Sequence, residues 1–129
     1  MRSARPALAS HAVEVDGDES RALVTLTWKG ASFDGAAVGS STTEARPRLI
    51  GEATIRAVES LSDGRLKLDL TAVATTNMGA NRIAIAQVVA VGTEGRLVGS
   101  AVMPENDPDE ATARAVLDAV NRHLEQHLS

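Results

Sequence analysis

Residues 52–58 read Glu-Ala-Thr-Ile-Arg-Ala-Val, and residues 110–116 read Glu-Ala-Thr-Ala-Arg-Ala-Val. Six of the seven positions agree, at an offset of 58. Upstream, Val38-Gly39-Ser40 returns as Val98-Gly99-Ser100, and Ala12-Val13 returns as Ala72-Val73, both at an offset of 60. Three matches in one order predict a chain built from two copies of one unit, with half-repeats at about 11–64 and 65–129. Residues 1–10 are expected to be a mobile tail ahead of this single duplicated domain.

Outward from the repeated phrase, each half carries strand signals and then a helix. Ala22 to Trp28 alternates Val24, Leu26 and Trp28 with Thr25 and Thr27, after a weak first strand at His11 to Val15 and a turn at Asp16 to Ser20. Lys29-Gly30 turns the chain into Ala31 to Val38, with Trp28 and Phe33 flanking the hairpin tip. A helix is predicted at about 47–62. Pro47 lies in its first turn, Ile50, Ala53, Ala57, Val58 and Leu61 form one stripe, and Gly64 is a left-handed stop. The second half repeats the order. It has a strand from Leu66 to about Thr75, an apolar strand from Arg82 to Val91 expected to be covered on both faces, and a return strand from Arg96 to Met103. The last helix runs from Pro108 to about His127, with Asp107 as N-cap and Glu110 at N3 in a capping box. Ala113, Val116, Leu117, Val120 and Leu124 are its inward face. The expected fold class is α+β, an internal duplication of a strand-strand-strand-helix unit sharing one core.

Composition narrows the function classes. There is no cysteine, which removes disulfide scaffolds, thiolate metal sites and cysteine nucleophiles together. One Trp, one Phe and no Tyr leave the core to Ala, Val, Leu and Ile. A net charge of −4 with almost no aromatic residues argues against nucleic-acid binding. No apolar run is long enough for a membrane span, and Ala7-Leu8-Ala9 is too short for a secretory core, so a cytoplasmic protein is expected.

No catalytic signature emerges, and neither a metal nor a cofactor is expected. His123 and His127 stand four apart on the last helix but lack the acidic neighbour of a metalloprotease motif, so they read as a solvated helix end. Asp16, Asp18 and Glu19 lack the spacing of a calcium loop. The hydroxyls of Ser40, Thr42, Thr43 and Ser100 have no base placed beside them by the sequence. The better lead is the connection before each helix. Gly39, Ser40, Ser41 and Thr42 precede the first helix, and Gly99, Ser100 and Asp107 precede the second. Helix N-termini offer free N–H groups and partial positive charge, and glycine permits close approach. Two such ends related by the duplication are expected to frame one small anionic or amino-acid-like ligand. Arg56 and Arg114 are expected at the edges of their helices, their stems covering apolar surface.

The stretch Asp109-Glu110-Ala111-Thr112-Ala113-Arg114-Ala115-Val116-Leu117-Asp118-Ala119-Val120-Asn121-Arg122 resembles the final helix of the regulatory domain of 2-isopropylmalate synthase. The duplicated strand-strand-strand-helix order is similar to that domain's order as well. The resemblance implies a stand-alone, non-catalytic regulatory domain, dimeric, sensing leucine or a related metabolite at the loops Gly39 to Thr43 and Gly99 to Asp107, and acting on a partner enzyme. The family's Gly-x-Gly-Pro-Val-Asp-Ala pattern in the first loop is replaced here by Gly39-Ser40-Ser41-Thr42-Thr43-Glu44-Ala45. The alternative reading is a ligand-free structural or protein-interaction module forming a dimer.

Overall fold

The computed structural model describes residues 5–92, 95–104 and 107–128, with the side chains of residue 122 and residues 125–128 outside the description. Its order is β1 (Ala7–Asp16), β2 (Glu19–Trp28), β3 (Ala31–Ser40), α1 (Arg46–Leu61), β4 (Leu68–Met78), β5 (Asn81–Ala90), β6 (Leu97–Val102) and α2 (Pro108–Leu128). The strands form two antiparallel sheets, β1-β2-β3 and β4-β5-β6. This is the expected α+β fold with a repeated strand-strand-strand-helix unit.

The register of the repeat differs from that of the sequence matches. Both first strands carry an irregularity at the same point, between Leu8 and Ser10 and between Leu70 and Ala72. Both first hairpins turn on a glycine with positive φ, Gly17 at 63° and Gly79 at 61°. The helices begin at Arg46 and Pro108. All of these correspond at an offset of 62. The third strands correspond at 64, since Gly35 pairs with Val24 and Gly99 pairs with Ala86. The phrase at 52–58 therefore lies one helical turn further into its helix than the phrase at 110–116. It marks similar packing surface rather than equivalent positions. Thr54 and Thr112 are both buried and each donates its hydroxyl to the carbonyl four residues back, Ile50 and Pro108.

Ala22, Val24 and Leu26 face α1 from the first sheet, and Ala84, Ala86 and Val88 occupy the same positions in the second. Small residues bring the layers close. A Cβ on Gly35 would strike the carbonyl of Ala53 and the N–H of Ala57; one on Gly99 would strike the same atoms of Ala115 and Ala119. On another side of α1, Gly51 meets Leu70 and Val73 of β4 and Val116 of α2. The two helices therefore lie side by side between the sheets. Each packs on the second and third strands of its own sheet and touches the first strand of the other. That burial on nearly all sides explains why the helices are rich in alanine and the core needs few aromatic residues.

Several boundaries move. β1 begins at Ala7, so the expected tail over 1–10 is strand from Ala7 onward, drawn in by pairing with Thr27 and Leu26. Residues 1–4 lie outside the described residues. β4 begins at Leu68 and extends to Met78, because the Gly79 turn falls later than alternation alone indicated. β5 is not covered on both faces: Ala84, Ala86, Val88 and Ala90 are buried, while Ile83, Ile85, Gln87 and Val89 face outward and are half-exposed. The loop residues Thr93 and Glu94, and Glu105 and Asn106, lie outside the described residues. α1 stops as expected, with the Gly64 N–H donating to the Glu59 carbonyl at 3.1 Å and Gly64 at a φ of 77°.

Candidate functional site

The first expected ligand loop is closed on itself. Gly39 and Ser40 are the last residues of β3, and Gly39 packs under Leu49. The Ser40 hydroxyl donates to the Thr42 hydroxyl at 3.3 Å and accepts the Thr42 N–H at 3.2 Å. The Thr42 hydroxyl accepts the Ala45 N–H, and Ser41 bonds back to the Gly17 and Asp18 carbonyls. These hydroxyls shape the turn into α1. Ala45, the N-cap residue, supplies no side-chain cap, and Arg46 and Arg48 place cations in the first turn without an acid.

The second expected loop does not assemble. Gly99 lies in the middle of β6, against the middle of α2. Ser100 has its side chain on the outer sheet face, and its N–H donates to Asp118 Oδ2 at 3.0 Å, which covers a strand edge. Only Asp107 stands at the α2 start. Its Oδ1 accepts the Glu110 N–H at 3.0 Å, the N-cap role expected for it. Gly99 and Ser100 lie within the expected return strand, and their pairing with Ala86 and Ile85 sets them against the middle of α2 instead of at its start.

The two helix starts do adjoin. Arg46 of α1 donates to Asp109 of α2 through Nε, at 3.0 and 3.1 Å, and through Nη2 at 2.6 Å. The Asp109 side chain is only 13% exposed. Hydrogen bonding to Asp109 raises the Arg46 pKa above its usual value; charge attraction adds to this and partial burial opposes it. The carboxylate missing from the first turn of α1 thus comes from α2. Beside this pair, His11 of β1 stands 3.5 Å from Asp107, with Glu110 close by. The junction carries three carboxylates, so an anion is not what its charge invites.

Two grooves follow the duplication more closely than the loops do. One, about 380 Å³, lies between the exposed stripe of α1 and β4, with Glu52, Ile55, Arg56 and Glu59 on one wall and Lys67 to Leu70 on the other. The other, about 360 Å³, is lined by Arg114, Leu117, Asp118 and Asn121, with Arg5 to Leu8 opposite. Every residue named in one has its counterpart in the other at the offset of 62.

The outer faces of the two sheets differ. Glu14, Asp16, Arg21 and Asp34 on the first have Thr76, Met78, Ile83 and Val98 as counterparts on the second. Val98, Val102 and Met78 are about 60% exposed, and Ile83, Ile85 and Val89 lie half-exposed between them.

No protein-family model matches this chain, and no curated protein aligns with it significantly. No described helix is both long and apolar enough to cross a membrane. The side chain of His127, expected with His123 at a solvated helix end, lies outside the described residues.

Proposed function

We propose that this chain is a non-catalytic regulatory module that works as a homodimer, joined through the outer face of β4, β5 and β6. The observation that carries this is the exchange of charged Asp16, Arg21 and Asp34 for apolar Met78, Ile83 and Val98 between equivalent faces of one molecule. Glu14, Arg21 and Asp34 keep the first sheet wetted, so the fold itself does not require an apolar outer face. The second sheet has uncharged Thr76 and apolar Ile83 and Val98 there, and together with Ile85, Val89 and Val102 these make an exposed apolar patch of the kind an interface uses. Three strands about 4.8 Å apart, nine or so residues long, bury on the order of 1,000 Å² when two such faces meet, near the lower bound of a specific interface. A second copy suits this face because neither side brings a charge to its centre.

The test transfers the charged face. Ile83→Arg with Val98→Asp copies the first sheet onto the second. Light scattering coupled to size-exclusion chromatography should show a dimer for the parent chain and a monomer for the double variant, with unchanged circular dichroism. A parent chain that is monomeric at micromolar concentration would remove the reading.

The paired grooves favour a second reading, a small zwitterionic metabolite. The α1 groove offers Arg48, Arg56 and Lys67 beside Glu52, Glu59 and Asp69, which suits a ligand carrying both a carboxylate and an ammonium group. A thermal-shift screen of branched-chain amino acids and 2-oxo acids tests it; a folded protein with no shift removes it.

A further inference from the structure

The geometry points to a divalent transition-metal site formed by His11, Asp107 and Glu110. The three residues come from two distant parts of the chain. β1 presents His11 on its helix-facing side, opposite Val24, while Asp107 and Glu110 belong to the start of α2. Their ligand atoms all lie within 4.8 Å of one another, and all three residues are partly buried.

The spacing fits a shared ion better than a hydrogen bond. His11 Nε2 and Asp107 Oδ2 stand 3.5 Å apart, longer than a good N–H···O bond. Two ligands each about 2.0–2.1 Å from a tetrahedral zinc stand about 3.4 Å apart. The carboxylates keep an oxygen for this role. Asp107 uses Oδ1 to cap the helix, which leaves Oδ2 toward His11. Glu110 uses Oε2 for Arg114 at 3.2 Å, which leaves Oε1.

The duplication supplies an internal comparison. At the offset of 62, the counterparts of His11, Asp107 and Glu110 are Val73, Ala45 and Arg48. Val73 packs against the first helix, and Arg48 donates to the Leu70 carbonyl. The fold therefore accommodates an apolar residue, an alanine and an arginine at these three places. One imidazole with two carboxylates selects zinc, manganese, iron or nickel over calcium and magnesium, which prefer oxygen alone. Three protein ligands leave at least one position for water or another molecule.

Isothermal titration of the metal-free chain with Zn²⁺, and separately with Co²⁺ followed by its visible absorption, tests the site. The expected result is one ion per chain. Three variants separate metal binding from folding. His11→Val installs the apolar residue of the other half, Asp107→Asn retains a good N-cap, and Glu110→Gln keeps the side chain's size while the Asp107 cap of the helix stays in place. Each should weaken binding by at least about tenfold while circular dichroism stays unchanged. A folded parent chain that binds neither ion would overturn the proposal. So would binding that survives His11→Val, which would move the ion to the histidines of α2.

Discussion

Asn121 and Pro6 line one groove, and the Oδ1 of Asn121 is buried there without a hydrogen-bond partner among the described residues. In the other half, Glu59 occupies the place of Asn121 and accepts the Leu68 N–H at 2.9 Å. Pro6 is the counterpart of Leu68 and has no N–H to give. Replacing Pro6 with Leu should supply the donor. A double-mutant cycle of Pro6→Leu with Asn121→Leu, read by urea denaturation, is expected to show a coupling of about 1 kcal/mol. The cycle is needed because removing a proline also loosens the unfolded chain. A coupling indistinguishable from zero would mean that the two residues do not meet.

Gly35 and Gly99 hold the sheets against the helices. Alanine at either position places a Cβ into helix backbone, which cannot swing aside as a side-chain tip would. Each substitution should cost about 3 kcal/mol or more, at the upper end of overpacking effects. Gly39→Ala meets only the end of Leu49 and should cost clearly less. Thermal melts of the three variants would establish the order, and equal losses would contradict the close approach.

Arg46 and Asp109 tie the two helix starts. Asp109→Asn should lower stability by about 1–2 kcal/mol, discounted because the Arg46 side chain is 46% exposed. The pKa of Arg46 is raised on folding, so its contribution is complete below the unfolded value and is lost only as pH rises through the folded one, in strong alkali. From the arginine side, the difference between parent and variant should stay flat from about pH 6 to 9. A denaturation series across that range checks it.

The first sheet should become adhesive if its charges are removed. Arg21→Ile with Asp34→Val copies the second sheet's outer face onto the first. Such a chain has two apolar faces, and it should form chains or aggregates rather than closed dimers. Sedimentation velocity would reveal this. A variant as monodisperse as the parent would mean that these outer faces do not control assembly.

Alternation in Ala22 to Trp28, the stripe Ile50 to Leu61 and the Asp107 cap were legible because each depends on neighbours within a few residues. The candidate site was not. Gly99 and Ser100 read as the end of a strand feeding the last helix, yet pairing with Ala86 and Ile85 holds them in mid-strand, away from the helix start. His11 and Asp107 lie 96 positions apart, and no local pattern announces their meeting. The unequal outer faces were present in the residues, but comparing them required the offsets of 62 and 64, and the most visible sequence matches pointed to 58 and 60.

The sequence by itself determined the duplication, the strand-strand-strand-helix order and a core of small aliphatic residues, since periodicity and turn chemistry act over short range. Only the tertiary structure decided which positions are equivalent, that the helices lie between the sheets, and that the two helix starts meet through Arg46 and Asp109. Those relations rest on strand pairing and layer contact between residues far apart in the chain, where the amino-acid order carries no local mark of the partner.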